Sequence, residues 1–148
     1  MKPYTRAERE RAAEICDVLA EVQSIAVVGL SPHPHRPSHR VTAAMQRAGF
    51  RIVPVHPNAT EVLGEKAYAS LGDVPPPVGL VNVFRAADRI DAIVDDCIRL
   101  GVKRLWIQQG IVNEAAAARA AAHGIWTVMD RCIWSDFNGA CGRRRDHA

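Results

Sequence analysis

No stretch of this sequence approaches the ~18 consecutive apolar residues of a membrane-spanning helix. The start, Met1-Lys2-Pro3-Tyr4, runs into charged residues instead of an apolar leader. Neither a membrane partner nor a secretory route is expected. Cysteine is scarce: Cys16, Cys97, Cys132 and Cys141 form no C-x-x-C pair and show no secreted-type spacing. That pattern reads as a chain without a disulfide framework, in a reducing, cytoplasmic setting. Charge of one sign is lacking too. The 19 Lys+Arg against 16 Asp+Glu leave +3, and the excess sits in the tail, where Arg143, Arg144 and Arg145 are too few for a nucleic-acid patch. No repeat of fixed period appears, and no linker long enough to divide the chain.

What is present is globular: 148 residues, 48% hydrophobic and 24% charged, fit one domain with a sizeable core. Thr5 to Val22 reads as a helix, opened by a Thr5/Glu8 capping box, with Ile15, Leu19 and Val22 on one face. Ser24 to Leu30 is a near-continuous, β-branched apolar run, the signature of a strand buried on both faces. Runs of the same character occupy Arg51 to Val55, Leu80 to Phe84, Arg104 to Ile107 and Trp126 to Met129. Helical patterns at Ser38 to Ala48, Ala86 to Leu100 and Asn113 to His123 separate most of them, the last with Asn113 as N-cap and Gly124 as stop. Between the second and third strands, Gly64, Gly72 and Pro75-Pro76-Pro77 predict a small excursion around Ala67 and Tyr68 and then a rigid turn. The alternation predicts an α/β fold with a five-stranded parallel sheet and helices on both faces.

Ligand sites of such sheets lie beyond the carboxyl ends of the strands, near the switch in strand order. The first strand runs through Gly29-Leu30-Ser31 into Pro32-His33-Pro34-His35-Arg36-Pro37 and a helix predicted to begin at, and be capped by, Ser38. Helix amides together with Ser31, Arg36 and Ser38 can cradle a phosphate; the plainer alternative is a Pro-stiffened surface loop. Neither the G-x-G-x-x-G spacing nor a Walker G-K-[ST] is present. Strand two ends in His56-Pro57-Asn58, without the acidic residue that an NAD ribose invites, although Glu61 keeps an NAD(P) site open as the alternative. Strand three ends in Phe84-Arg85, suited to an adenine or a pantetheine chain and a phosphate; strand four ends in Gln108-Gln109-Gly110, strand five in Asp130-Arg131-Cys132.

Catalytic signals are few. Cys132 beside Arg131 has no histidine placed near it by the sequence, His33 and His35 adjoin prolines, and no general acid/base pair stands out. No enzyme activity, catalytic residue or metal site is expected.

Ile25 to Ser31 with Arg36-Pro37-Ser38, Val53 to Asn58, Leu63-Gly64-Glu65-Lys66, Val81 to Arg85, Trp106 to Gly110 and Met129 to Cys132 come in order and at workable spacing. This set resembles the small stand-alone CoA-binding proteins, which are similar to the CoA-binding domain of the succinyl-CoA synthetase alpha subunit. The resemblance runs from about Ser24 to Asp136 and implies a Rossmann-like three-layer domain. It implies phosphate contacts from Gly29, Ser31, Arg36, Pro37 and Ser38, with His56, Asn58, Phe84 and Arg85 flanking nucleotide and pantetheine, and Gln108 and Gly110 lining the fourth edge. The chain departs from the family at His33-Pro34 and His56, and reads Asp136-Phe137-Asn138-Gly139 where the family closes with Glu-His-x-Arg. The histidine that the synthetase phosphorylates lies in a separate domain, so ligase chemistry is not expected.

The expectation is therefore a module that binds coenzyme A or an acyl-CoA as a non-catalytic carrier, sensor or accessory protein. Residues 1–23 would form a helix packed on the domain, 24–137 the CoA-binding domain, and 138–148 a basic, flexible tail. A homodimer or protein partner would use the tail arginines and exposed Trp134 or Phe137. Cys132 or Cys141 would be the thiol placed to meet the coenzyme's own under oxidation.

Overall fold

A computed structural model describes residues 3–142. Helix α1 (Arg6–Glu21) opens on the capping box: Thr5 Oγ1 accepts the Glu8 N–H at 3.1 Å, and Glu8 Oε2 accepts the Thr5 N–H. Its apolar stripe buries Ile15 and Leu19, and Val22 closes the turn beyond.

Strands β1 (Ser24–Val28), β2 (Arg51–Val55), β5 (Leu80–Val83), β6 (Arg104–Gln108) and β7 (Trp126–Arg131) form one parallel sheet in the order β2-β1-β5-β6-β7. Between β2 and β5, β3 (Glu61–Val62) and β4 (Glu65–Lys66) make a small antiparallel hairpin that the sequence did not reveal. Helices α2 (Pro37–Arg47), α3 (Ile90–Leu100), α4 (Glu114–Ala122) and α5 (Ile133–Ala140) complete the chain. α5 packs between α1 and α2 on one face, and α3 pairs with α4 on the other.

Alternation along each strand builds the two cores. Ile25, Val27, Leu80, Trp106 and Val128 face one way, while Ala26, Val81, Val83, Leu105 and Ile107 face the other. Covered on both faces, the central strands need apolar residues at nearly every position, and this accounts for their unbroken apolar runs.

The β2-to-β5 connection contains no α-helix. After the hairpin the chain returns beside β2, where the Tyr68 N–H donates to the Pro54 carbonyl and the His56 N–H to the Tyr68 carbonyl, each at 2.9 Å. A short 3-10 turn, Leu71–Asp73, then sets Leu71 and Val74 into the second core.

Several expectations change. α2 begins at Pro37, so Ser38 is not its cap: Pro tolerates the first helical position, and Arg36 stands at the N-cap with no side-chain capping bond. α5 runs to Ala140, so a tail beginning at 138 would cut a helix; residues 143–148, with the three arginines, lie outside the described residues. Phe137 is buried, edge-on to Phe50 at 5.2 Å, and Trp134 is half-buried against the same core, so neither is the exposed contact expected. Cys16 and Cys141 form a disulfide, 125 residues apart in sequence. No spacing motif marks this bridge, because its two ends meet through the packing of α1 on α5. Among the described residues no helix is long and apolar enough to cross a membrane.

Candidate functional site

At the switch between β2 and β5 on either side of β1, the chain turns sharply at Gly29, with φ +85°. A Cβ there would lie 2.6 Å from the Phe84 carbonyl oxygen and 2.9 Å from Arg85 Cδ, so only glycine lets the end of β5 approach. The Phe84 N–H donates to the Val28 carbonyl at 2.8 Å and the Gly29 N–H to the Val55 carbonyl at 3.0 Å, fixing three strand ends together.

The following loop is held by its own short polar side chains. The Ser31 N–H donates to Ser38 Oγ at 3.0 Å, the His33 N–H to Ser31 Oγ at 3.1 Å, and Arg40 Nη1 to the His35 carbonyl at 2.7 Å. The Arg36 N–H reaches the His33 carbonyl at 3.1 Å. The loop delivers its backbone to α2, whose N-terminus is left without a side-chain cap. Such a terminus carries a partial positive charge and suits an anion.

Above it opens a cleft of about 720 Å³ lined by Gly29, Ser31, Pro32, His33, Arg36, Pro37, Ser38, His56, Asn58, Phe84, Arg85, Ala86 and Ile111. Arg36 and Arg85 bring two permanent cations to it. His56 is oriented from behind: its Nδ1 accepts the Asn58 N–H at 3.1 Å, which leaves Nε2 as the ring's protonated, donating nitrogen. Among the described residues no carboxylate or thiol lines the cleft.

Of the residues singled out from sequence, Gly29, Ser31, Arg36, Pro37, Ser38, His56, Asn58, Phe84 and Arg85 thus meet around one cavity. Gln108 and Gly110 do not line it. Gln108 is buried, and its Oε1 accepts the Ile133 N–H at the start of α5 at 3.2 Å. The Gly110 N–H donates to Asp130 Oδ1 at 2.8 Å, where Asp130 itself takes φ +59° beside the irregular end of β7. Both residues brace the β6 and β7 ends. Beside them Arg131 forms a two-bond pair with Asp136, at 2.7 and 2.6 Å, and those hydrogen bonds push the guanidinium's pKa further up.

Cys132 is half-buried and outside the cleft lining, and Cys141 is consumed by its bridge to Cys16, so neither is set against a ligand there. Ile111 was missed by sequence reasoning, although it stands directly after Gly110, whose φ of +86° turns the chain out of β6. Pro32 and Ala86 were missed as contacts because they lie between more conspicuous residues. Among the described residues no group of three or more His, Cys, Asp and Glu converges as a metal site.

A family model described as a CoA binding domain matches residues 23–137. The chain is 42% identical over 121 residues to the uncharacterized protein YneT of Bacillus subtilis (strain 168), covering 82% of this chain and 90% of YneT. It is 30% identical over 83 residues to the ADP-forming acetate–CoA ligase II of Archaeoglobus fulgidus, covering 55% of this chain and 12% of that enzyme. The crystal structure of Prb, a redesigned form of the protein PH1109, superposes with a TM-score of 0.85 at 29% identity and 99% coverage of both chains.

Proposed function

The chain belongs to the CoA-binding domain family, and from that premise we propose that it binds coenzyme A or an acyl-CoA in the cleft beyond Gly29, as a non-catalytic carrier, sensor or accessory module. The observation that carries the reading is the convergence of the uncapped α2 N-terminus with Arg36, Arg85 and His56 on one cavity. A polyanionic ligand is what that set can hold. Helix amides and guanidinium groups bind phosphate through charge-assisted hydrogen bonds. Phe84 and Ile111 supply apolar wall for a chain such as pantetheine, and Gly29 lets the ligand lie close to backbone.

Among the described residues, the lining of the cleft offers serine and histidine but no carboxylate or thiol, a set that supports binding of a polyanion.

Native mass spectrometry and calorimetric titration with coenzyme A and with NAD test the reading. The expected result is co-purified coenzyme A, or a Kd in the micromolar range, weakened about tenfold by Arg36→Ala. Binding of NAD alone, or of neither ligand, overturns it.

A further inference from the structure

The Cys16–Cys141 bridge joins α1 to the residue that ends α5, and both of its cysteines are half-exposed. We propose that it is a reversible thiol–disulfide latch: closed, it holds the last turn of α5 in place, and opened by a thiol reductant it frees that turn and lowers coenzyme A affinity. Neither cysteine lines the cleft, so the latch regulates that site from a distance. Only its effect on affinity rests on the coenzyme A reading.

The end of α5 depends on the bridge in a way its start does not. At the start, the Ile133 N–H is tied to Gln108 Oε1, and Asp136 takes two bonds from Arg131. At the end, Asn138, Gly139 and Ala140 are exposed, and asparagine and glycine favour helix weakly. A helix of 8 residues draws little stability from its own hydrogen bonds. Past the buried Phe137, the bridge is what fastens the helix end.

The same geometry lets the latch close again. Ile15 and Leu19 bury α1 around Cys16, and Ile133 and Phe137 bury α5, so the two thiols stay neighbours when the bond is broken. Neither remaining cysteine competes for them. Cys132 stands at the opposite end of α5, about 13 Å away along a helix axis, whereas a bridge needs Cα atoms within about 7 Å. Cys97 is buried on α3, on the other face of the sheet. In opening, a thiolate of a small dithiol attacks one sulfur, breaking the S–S bond and forming a mixed disulfide. The dithiol's second thiolate then displaces the protein sulfur, leaving two cysteine thiols and the cyclic disulfide of the reductant.

Packing connects this helix end to the cleft. Phe137 meets Phe50 edge-on at 5.2 Å, and the Phe50 N–H donates to the Met45 carbonyl on α2 at 3.2 Å. The first turn of α2 carries Ser38, whose Oγ holds the Ser31 N–H beside the cleft. With the end of α5 loosened, α2 loses part of its support, and the ligand must restore that order on binding.

The test follows the full chain oxidised, reduced by dithiothreitol and reoxidised, together with Cys141→Ser and Cys132→Ser. The readouts are amide exchange and titration with desulfo-coenzyme A, which has no thiol to attack the bridge. Reduction should deprotect the amides of residues 138–141, spare those of the central strands, and weaken binding about fivefold. Reoxidation should restore both. Cys141→Ser should match the reduced chain and ignore the reductant, while Cys132→Ser should follow the wild type. Saturating ligand should also shift the thiol–disulfide equilibrium toward the bridge by the same factor, a linkage that a merely structural bridge lacks.

Equal exchange at the end of α5 in both redox states, or failure to regain protection on reoxidation, overturns the latch. Altered exchange with equal affinity overturns its link to the cleft. Absence of binding in every redox state overturns the coenzyme reading, and the exchange data then decide the latch alone.

Discussion

Ser38 Oγ accepts the Ser31 backbone N–H at 3.0 Å, so the first turn of α2 holds the start of the loop that leads into it. Ser38 is buried, and its hydroxyl fixes the loop from beneath while the loop backbone faces the cleft. Ser38→Ala leaves a part-buried N–H without its acceptor, at a cost of about 1–2 kcal/mol. The expected outcome is a modest fall in stability and a larger relative loss of coenzyme A affinity, read by urea unfolding and calorimetry on the same variant. Unchanged affinity would mean that the prolines and the loop's remaining hydrogen bonds, from His33 to Ser31 Oγ and from Arg40 to the His35 carbonyl, hold it without Ser38.

Gly29→Ala should be more severe. The new Cβ meets a backbone carbonyl, Phe84 O at 2.6 Å, on a residue whose own N–H is tied to the Val28 carbonyl. The left-handed φ of +85° adds its own strain. A loss of about 2–4 kcal/mol is expected, with displacement of Arg85 and failure to bind coenzyme A. An alanine variant with wild-type melting temperature and affinity would show that the close approach of β1 to β5 is dispensable.

What could be read from sequence divides by distance along the chain. The five strands, the capping box at Thr5 and Glu8, and the cleft residues from Gly29 to Ser38 are local patterns at strand ends, and they were legible. The cap at Ser38 was misread because serine is a common N-cap, yet Pro37 before it already satisfies the first helical position. Gln108 and Gly110 sit at a strand end like the others. Ile133 at the start of α5 and Asp130 at the end of β7 set their hydrogen bonds, and no local signal announces that. Phe137 looked exposed because it lies near the chain end, but α5 fills the groove between α1 and α2.

The Cys16–Cys141 bridge belongs to the same non-local class and has a measurable consequence. It closes a loop spanning 125 residues and ties the end of α5 to α1. A loop of that size lowers the entropy of the unfolded chain substantially, and native bridges are worth about 2–4 kcal/mol. Reduction, or Cys16→Ser, should therefore lower the urea midpoint under otherwise identical conditions. Equal midpoints with and without reductant would show that α1–α5 packing alone holds the chain end.

Cys97 gives the protein an alkaline stability limit. It is fully buried on α3, and burial first, then the neighbouring Asp96 charge, push its thiol from 9.0 up to about 12. The folded state therefore keeps a proton that the unfolded chain begins to release near its ordinary value. The stabilisation is fully present below that value and is lost as pH rises through it towards the folded one. The fall is at most ~1.4 kcal/mol per pH unit from this group. Cys97→Ala destabilises at neutral pH by opening a small cavity, but it removes this pH-dependent part. Urea unfolding from about pH 8 to pH 10.5 should show the gap between wild type and Cys97→Ala narrowing as pH rises. A constant gap would mean that the thiol ionises equally in both states. Thiol labelling in the native state should, in parallel, modify half-buried Cys132 rapidly and Cys97 only after unfolding.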